Sequence, residues 1–144
     1  MGQAQQAVVV QRSLAAAPEK VFAAWTDPHL LAQWWGPPGH TVASVEIDLR
    51  VNGRYRIGLQ QPDQPPFFVS GTYQQIQPPE KLVFTWRWER SDMDIGQSLV
   101  TVEIRGDGRH TNLILTHAQL PEPAQAAHRQ GWQGILDKLV SFFN

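Results

Sequence analysis

From Thr41 to about Gln119, short apolar–polar alternations are separated by turn sequences, and this limits the fold more than any other feature. Val45, Ile47 and Leu49 alternate with Glu46, Asp48 and Arg50 ahead of a Val51-Asn52-Gly53 turn, and Arg54 to Ile57 begins the returning strand. Gln61 to Pro66 reads as a loop, Phe67 to Ile76 as a strand, and Gln77-Pro78-Pro79-Glu80-Lys81 as a turn. Leu82, Phe84, Trp86 and Trp88 then share one face, with Thr85, Arg87 and Glu89 on the other. After a polar segment, Ser91 to Gln97, the alternation Val100, Val102, Ile104 runs into a Gly106-Asp107-Gly108 turn, and Leu113, Leu115 and His117 share a face of the last strand. Hairpin connections make such a sheet antiparallel, and a sheet of that length curls.

The flanks have a different period. Ala7 to Leu14, with three valines in a row, reads as a first strand. Pro18 and Glu19 open a helix, where Pro has no N–H to waste and Glu complements the dipole, and Val21, Phe22 and Trp25 form its apolar face. Asp27-Pro28 caps and restarts the pattern with Leu30, Leu31, Trp34 and Trp35, which Gly36-Pro37-Pro38-Gly39 ends. Pro121-Glu122-Pro123 opens a long helix from about Ala124 to Phe143, striped by His128, Trp132, Ile135, Leu136, Leu139 and Phe143. The reading is an α+β chain: one strand, two short helices, six strands, then a long helix free to cover the concave face of the sheet. With no internal repeat and no linker, residues 1–144 are expected to form a single domain.

Six tryptophans are spread over these helix and strand faces. Each buries a large ring and needs a partner for its indole N–H, so they form either an aromatic core or the wall of a cavity. A formal net charge of -1, with no run of like charge, gives no footprint for nucleic acid or an anionic membrane surface. Cysteine is absent, which removes disulfides and thiolate metal sites. The first residues have no basic region or long apolar run, and Gln6 stands where a myristoylation signal wants Ser or Thr, so a cytoplasmic protein is expected.

His117 and His128 are the polar side chains with most chemical scope. Either both reach one end of a pocket, as ligand contacts or as general acid and base, or each satisfies nearby polar groups; the placement on a strand end points to scaffold for His117, and the position beside Trp132 points to the site for His128. Two histidines without a carboxylate at ligand spacing make no metal site. Arg54, Arg56 and Arg87 belong on the outer face, whereas Tyr55 and Tyr73 have hydroxyls suited either to a ligand or to core packing. Asp92 and Asp94 stand in the polar loop without a partner acid. No serine sits in a nucleophile elbow, and Gly106-Asp107-Gly108 is too short for a phosphate loop. Nothing here demands an enzyme, and no cofactor is expected.

Several segments, in order, resemble the AHSA-type branch (activator of the heat-shock-protein-ninety ATPase) of the START-like, or SRPBCC, helix-grip superfamily. They are Pro18-Glu19-Lys20-Val21-Phe22-Ala23-Ala24-Trp25-Thr26-Asp27-Pro28, Trp34-Trp35-Gly36-Pro37, Gly71-Thr72-Tyr73 with Pro79 to Trp86, the Thr111 to His117 strand, and His128 with Gly131-Trp132 near Leu136-Asp137-Lys138-Leu139. The resemblance implies a helix-grip fold with a hydrophobic pocket between the curved sheet and the last helix, a pocket that elsewhere in the superfamily holds lipids, sterols, polyketides or aromatic compounds. The eukaryotic chaperone activators carry a further domain with no counterpart in these residues, so co-chaperone function does not carry over.

The expected function is binding of a small hydrophobic or aromatic molecule, lipid-like or polyketide-like. Its pocket is expected to comprise Trp34, Trp35, Tyr55, Tyr73, Phe84, Trp86, Trp88, Val102, Leu113, Leu115, His117, His128, Trp132, Ile135 and Leu139. The alternatives are a cyclase- or hydrolase-type enzyme using a pocket histidine and a protein–protein adaptor, and homodimerisation is left open.

Overall fold

In the computed structural model, which describes residues 7–144, the chain runs β1 (Val8–Leu14), α1 (Pro18–Thr26), α2 (Pro28–Trp34), β2 (Thr41–Ile47), β3 (Arg54–Gln60), β4 (Phe67–Gln77), β5 (Lys81–Trp88), β6 (Ser98–Gly106), β7 (Thr111–Ala118) and α3 (Glu122–Phe142). The reading of residues 1–6 as free of a targeting or lipidation signal lies outside the described residues. All strand pairings are antiparallel, in the order β1-β7-β6-β5-β4-β3-β2. The curved sheet and the long helix across its concave face are the helix-grip arrangement. No helix among the described residues is long and apolar enough to cross a membrane.

Local chemistry accounts for the element ends. Asp27 terminates α1 and caps α2 at once, its carboxylate accepting from the His29 N–H at 2.8 Å and, more weakly, from that of Leu30 at 3.4 Å. The last helix starts two residues earlier than its apolar stripe suggests, because Pro123 falls in the first turn, where no N–H is needed. Strand β2 stops at Ile47, short of Leu49; Leu49 and Val51 stand exposed in a turn whose Asn52 takes a φ of 68°.

The inward faces of β1, β3 to β7 and the helices meet in one core. Val8, Val10, Ile57, Leu59, Leu82, Phe84, Val100, Val102, Leu113 and Leu115 are buried beneath Trp132, Ile135, Leu136 and Leu139 of α3. Tyr55 lies opposite Gly71 in the β3–β4 register, and its hydroxyl crosses that bare position to donate to the Thr85 carbonyl on β5 at 2.5 Å. A Cβ at Gly71 would run into that carbonyl, so the glycine is required there. Burying one Trp removes roughly 150–250 Å² from water, or about 4–6 kcal/mol at 25 cal/mol per Å² as an upper figure. The exposed Arg12–Asp137 ion pair at 2.9 Å, which also joins β1 to α3, is worth about 1 kcal/mol at most. Packing, not charge, holds the helix down.

Two glycines of α3 differ in surroundings. A Cβ on Gly134 would lie 2.8 Å from Cδ of Pro38, a ring atom with little room to move, while one on Gly131 would meet nothing within 4 Å. Gly131→Ala is therefore expected to stabilise the protein by up to about 1 kcal/mol through helix propensity. Gly134→Ala should be destabilised relative to it by about 1–3 kcal/mol of overpacking. Parallel urea unfolding of the two variants checks the contrast, and equal stabilities would refute it.

Candidate functional site

The space between sheet and α3 is filled largely by tryptophans. Trp25 stands edge-on to Trp34 at 4.9 Å between ring centroids, Trp35 to Trp132 at 5.5 Å, and Trp86 lies tilted against Trp132 at 5.0 Å. These are favourable aromatic separations. Trp34 Nε1 donates to the Ala24 carbonyl at 3.1 Å, which ties α2 to α1. The sequence reading weighs an aromatic core against a cavity and expects these rings to line a pocket; most of this volume is instead filled by the rings themselves.

The two histidines organise the polar part of that core. Trp132 Nε1 donates to His117 Nδ1 at 2.9 Å. An indole nitrogen only donates, so the His117 proton is on Nε2, which meets Ser98 Oγ at 2.7 Å, and Ser98 in turn donates to the Trp86 carbonyl at 3.3 Å. Likewise Trp88 Nε1 donates to His128 Nε2 at 3.1 Å, and His128 Nδ1–H donates to the Ala124 carbonyl at 2.9 Å, one turn back. Both imidazoles are thus held neutral with both nitrogens engaged, and their rings stand 5.2 Å apart, edge to face. Burial lowers the pKa of His117 to about 3, with His128 nearby adding to the effect. Burial also lowers that of His128, against the Ala124 hydrogen bond.

Beside this core a recess of about 230 Å³ opens between α3, the β3–β5 end of the sheet and the turn after α2. Of the residues singled out from sequence, Trp35, Trp86, Trp88, His128, Trp132 and Ile135 line it. The others do not: Trp34, Tyr55, Tyr73, Phe84, Val102, Leu113, Leu115, His117 and Leu139 are buried in the close-packed interior, because neighbouring side chains already occupy the space they face. Burial raises the pKa of both Tyr55 and Tyr73, keeping their phenols neutral.

The wall is completed by Pro37, His40, Leu59, Phe67, Met93, Ala127 and Gly131, none of them among the pocket residues expected from sequence. Leu59 and Phe67 follow from the strand alternation once the register is known. Pro37, His40 and Met93 come from loops whose course no periodicity reports. Three larger hollows lie elsewhere, but each is edged by charged side chains such as Glu80 and Lys81, Arg56 and Arg90, or Glu46 and Arg54. They are surface troughs with little apolar wall.

The arginines point outward. Arg56 forks onto Glu89 at 2.9–3.1 Å, and Arg87 binds Asp94 at 2.9 and 3.1 Å, fastening the polar loop that brings Met93 to the recess; Asp92 pairs with Arg90 at 2.8 Å. Three buried indole nitrogens, on Trp25, Trp35 and Trp86, have no partner. A buried donor left unpaired costs about 1–3 kcal/mol, and native structures hold few.

Residues 15–144 match the family described as Activator of Hsp90 ATPase homolog 1-like protein. Among solved structures, the chain is similar to the AHSA1 protein of Silicibacter pomeroyi, with 31% identity over 94% of this chain and 96% of that one and a TM-score of 0.81. A protein of Chromobacterium violaceum is 25% identical over 95% of this chain and 96% of its own, with a TM-score of 0.81. One of Nitrosomonas europaea, at 19% identity over 95% and 93% and the same TM-score of 0.81, shares the fold. No curated protein matches the chain.

The neutral, buried His117 gives a pH signature. Its folded pKa of about 3 lies below the ordinary 6.5, so between these values the unfolded chain binds more protons and stability falls as pH drops. Between about pH 7.5 and pH 5 this one group should remove about 2 kcal/mol of stability, and His128 acts in the same direction. Urea unfolding at both pH values should show that loss in the parent protein and a much smaller one in His117→Gln. An equal loss in both would remove His117 as its origin.

Proposed function

This chain belongs to the Activator of Hsp90 ATPase homolog 1-like family, the AHSA-type branch of the START-like superfamily, and on that footing we propose that it is a cytoplasmic protein binding a small hydrophobic or aromatic molecule in the recess beside Trp86 and Trp132. The observation that carries this reading is the recess wall itself: aromatic rings of Trp35, Phe67, Trp86, Trp88 and Trp132 border it, with no Asp, Glu, Lys or Arg among the lining residues. Apolar surface that a ligand removes from water there contributes about 25 cal/mol per Å². A few polar atoms suffice to orient such a ligand.

Binding is favoured over catalysis by the histidine geometry. A general base needs a nitrogen within reach of the substrate; both nitrogens of His117 and of His128 are taken by protein partners, which leaves only Nε2 of His40, on the half-exposed rim of the recess. An adaptor role finds less support. Among the described residues, the exposed large apolar side chains Val9, Leu49, Val51 and Ile95 are scattered over β1, the β2–β3 turn and the β5–β6 loop instead of forming one patch.

The test uses 1-naphthylamine, a two-ring dye that is neutral at pH 7 and whose emission shifts to the blue in apolar surroundings. It should bind the folded protein and quench tryptophan emission. Gly131→Leu, which places a side chain where Gly131 borders the recess, should weaken binding at least tenfold, about 1.4 kcal/mol. Its unfolding midpoint should stay at or above that of the parent. Absence of dye binding, or equal binding by the variant, would reject the recess as the site.

A further inference from the structure

The two unpaired indole donors beside the recess carry an inference about the chemistry of what binds there, and it rests on the recess being the binding site. Of the six tryptophans, Trp34, Trp88 and Trp132 donate to a carbonyl or a histidine, whereas Trp25, Trp35 and Trp86 have no partner. Trp25 lies off the recess, but Trp35 and Trp86 both line it, each only 3% exposed, with ring centroids 6.0 Å apart. Two donors of the same kind, on neighbouring rings of one wall, are left without an acceptor.

The rest of the wall limits what can supply that acceptor. His128 has no nitrogen free, and His40, half-exposed at the rim, donates from Nδ1 to the Pro38 carbonyl at 3.3 Å and keeps only Nε2 as an acceptor, which reaches neither indole. No side chain of opposite charge is present to offset the desolvation of an ionised ligand, so a carboxylate or ammonium group is disfavoured. The volume of about 230 Å³ falls below the range of drug-sized sites, which leaves room for one or two fused rings and not for a sterol or a two-chain lipid. Flat rings on several sides select a flat guest.

We propose that the recess selects a small, neutral, planar ring compound bearing a carbonyl oxygen, which accepts a hydrogen bond from the Trp35 or Trp86 indole N–H. Both nitrogens are closed to solvent, so the guest's oxygen meets one of them only when that indole turns its N–H toward the recess, a movement that guest binding has to drive. The ring system supplies the apolar contact, and the oxygen sets orientation and discriminates against hydrocarbons. A site built around a buried donor rejects an analogue lacking the acceptor far more strongly than it senses one extra carbon.

The test compares three guests of nearly equal shape with the unmodified protein: acetylnaphthalene, ethylnaphthalene and naphthoate at neutral pH. Affinities come from tryptophan fluorescence, and assigned indole N–H resonances from proton–nitrogen correlation spectra. Acetylnaphthalene should bind at least tenfold more tightly than either of the others and shift the Trp35 or Trp86 indole resonance, a shift that ethylnaphthalene does not reproduce. Equal binding of ketone and hydrocarbon would overturn the carbonyl preference while leaving the binding site in place. Tighter binding of naphthoate, or a ketone response confined to the other indoles, would overturn it too. If none of the three binds and the neutral dye also fails, the binding reading itself falls. Trp35→Phe, which keeps a ring but removes the donor, should reduce the preference for the ketone if Trp35 is the donor. Because the guest series needs no variant, the test does not depend on that protein folding.

Discussion

The hydrogen bond from Trp132 to His117 is the contact on which the arrangement of helix and sheet depends. Apolar burial holds α3 against the sheet but carries no direction, so packing alone would let a helix of this kind turn or slide by a fraction of a residue. A donor-only indole meeting a buried acceptor does not permit that, since displacement would leave both groups unpaired. The bond continues through Ser98 to the Trp86 carbonyl, so α3, β7, β6 and β5 are joined in one file of polar contacts inside an otherwise apolar interior. The Trp88–His128 pair repeats the device nearer the surface.

This file explains why so little space remains between the layers. Once Trp132 is fixed, its ring packs on Trp25, Trp35 and Trp86, and the volume that a helix-grip fold can offer to a guest is taken up by the protein's own indoles. The recess survives only where the chain supplies small or loop residues: Gly131 and Ala127 on α3, Pro37 after α2. Its size and its lack of charge are thus outcomes of core packing. Its donors are indoles that the core could not satisfy.

Much of the fold was legible in the sequence because its signals are local. Leu82, Phe84, Trp86 and Trp88 declare a strand by alternation, and Asp27-Pro28 declares a helix junction by capping. Depth was not legible. Alternation shows that Tyr55, Phe84, Val102 and Leu115 face inward, but not whether another side chain already stands in front of them, which depends on rings brought in from α1, α2 and α3. For the same reason the spacing of His128 and Trp132 placed them together on a helix face without revealing that Trp88, from another element, already occupies the imidazole. The strands' register and the loops' courses bring Leu59, His40, Phe67 and Met93 to the recess, and neither is written in any single stretch of chain.

Strand β1 pairs with β7 alone, Val8 opposite His117, and its Arg12 reaches Asp137 of α3, 125 residues further along the chain. Thr111 on β7 closes the same circuit by donating to the Ala16 carbonyl at 2.8 Å. During synthesis β1 therefore has to wait until β7 has been made before it acquires its strand partner. At translation rates of about 5–20 residues per second, that interval is on the order of ten seconds. During it, Val8, Val9 and Val10 remain an unpaired β-prone run in a nascent chain. The topology thus puts the burden of early protection on whatever shields that segment during synthesis, and assigns β7 and α3 together the task of completing the edge and the core.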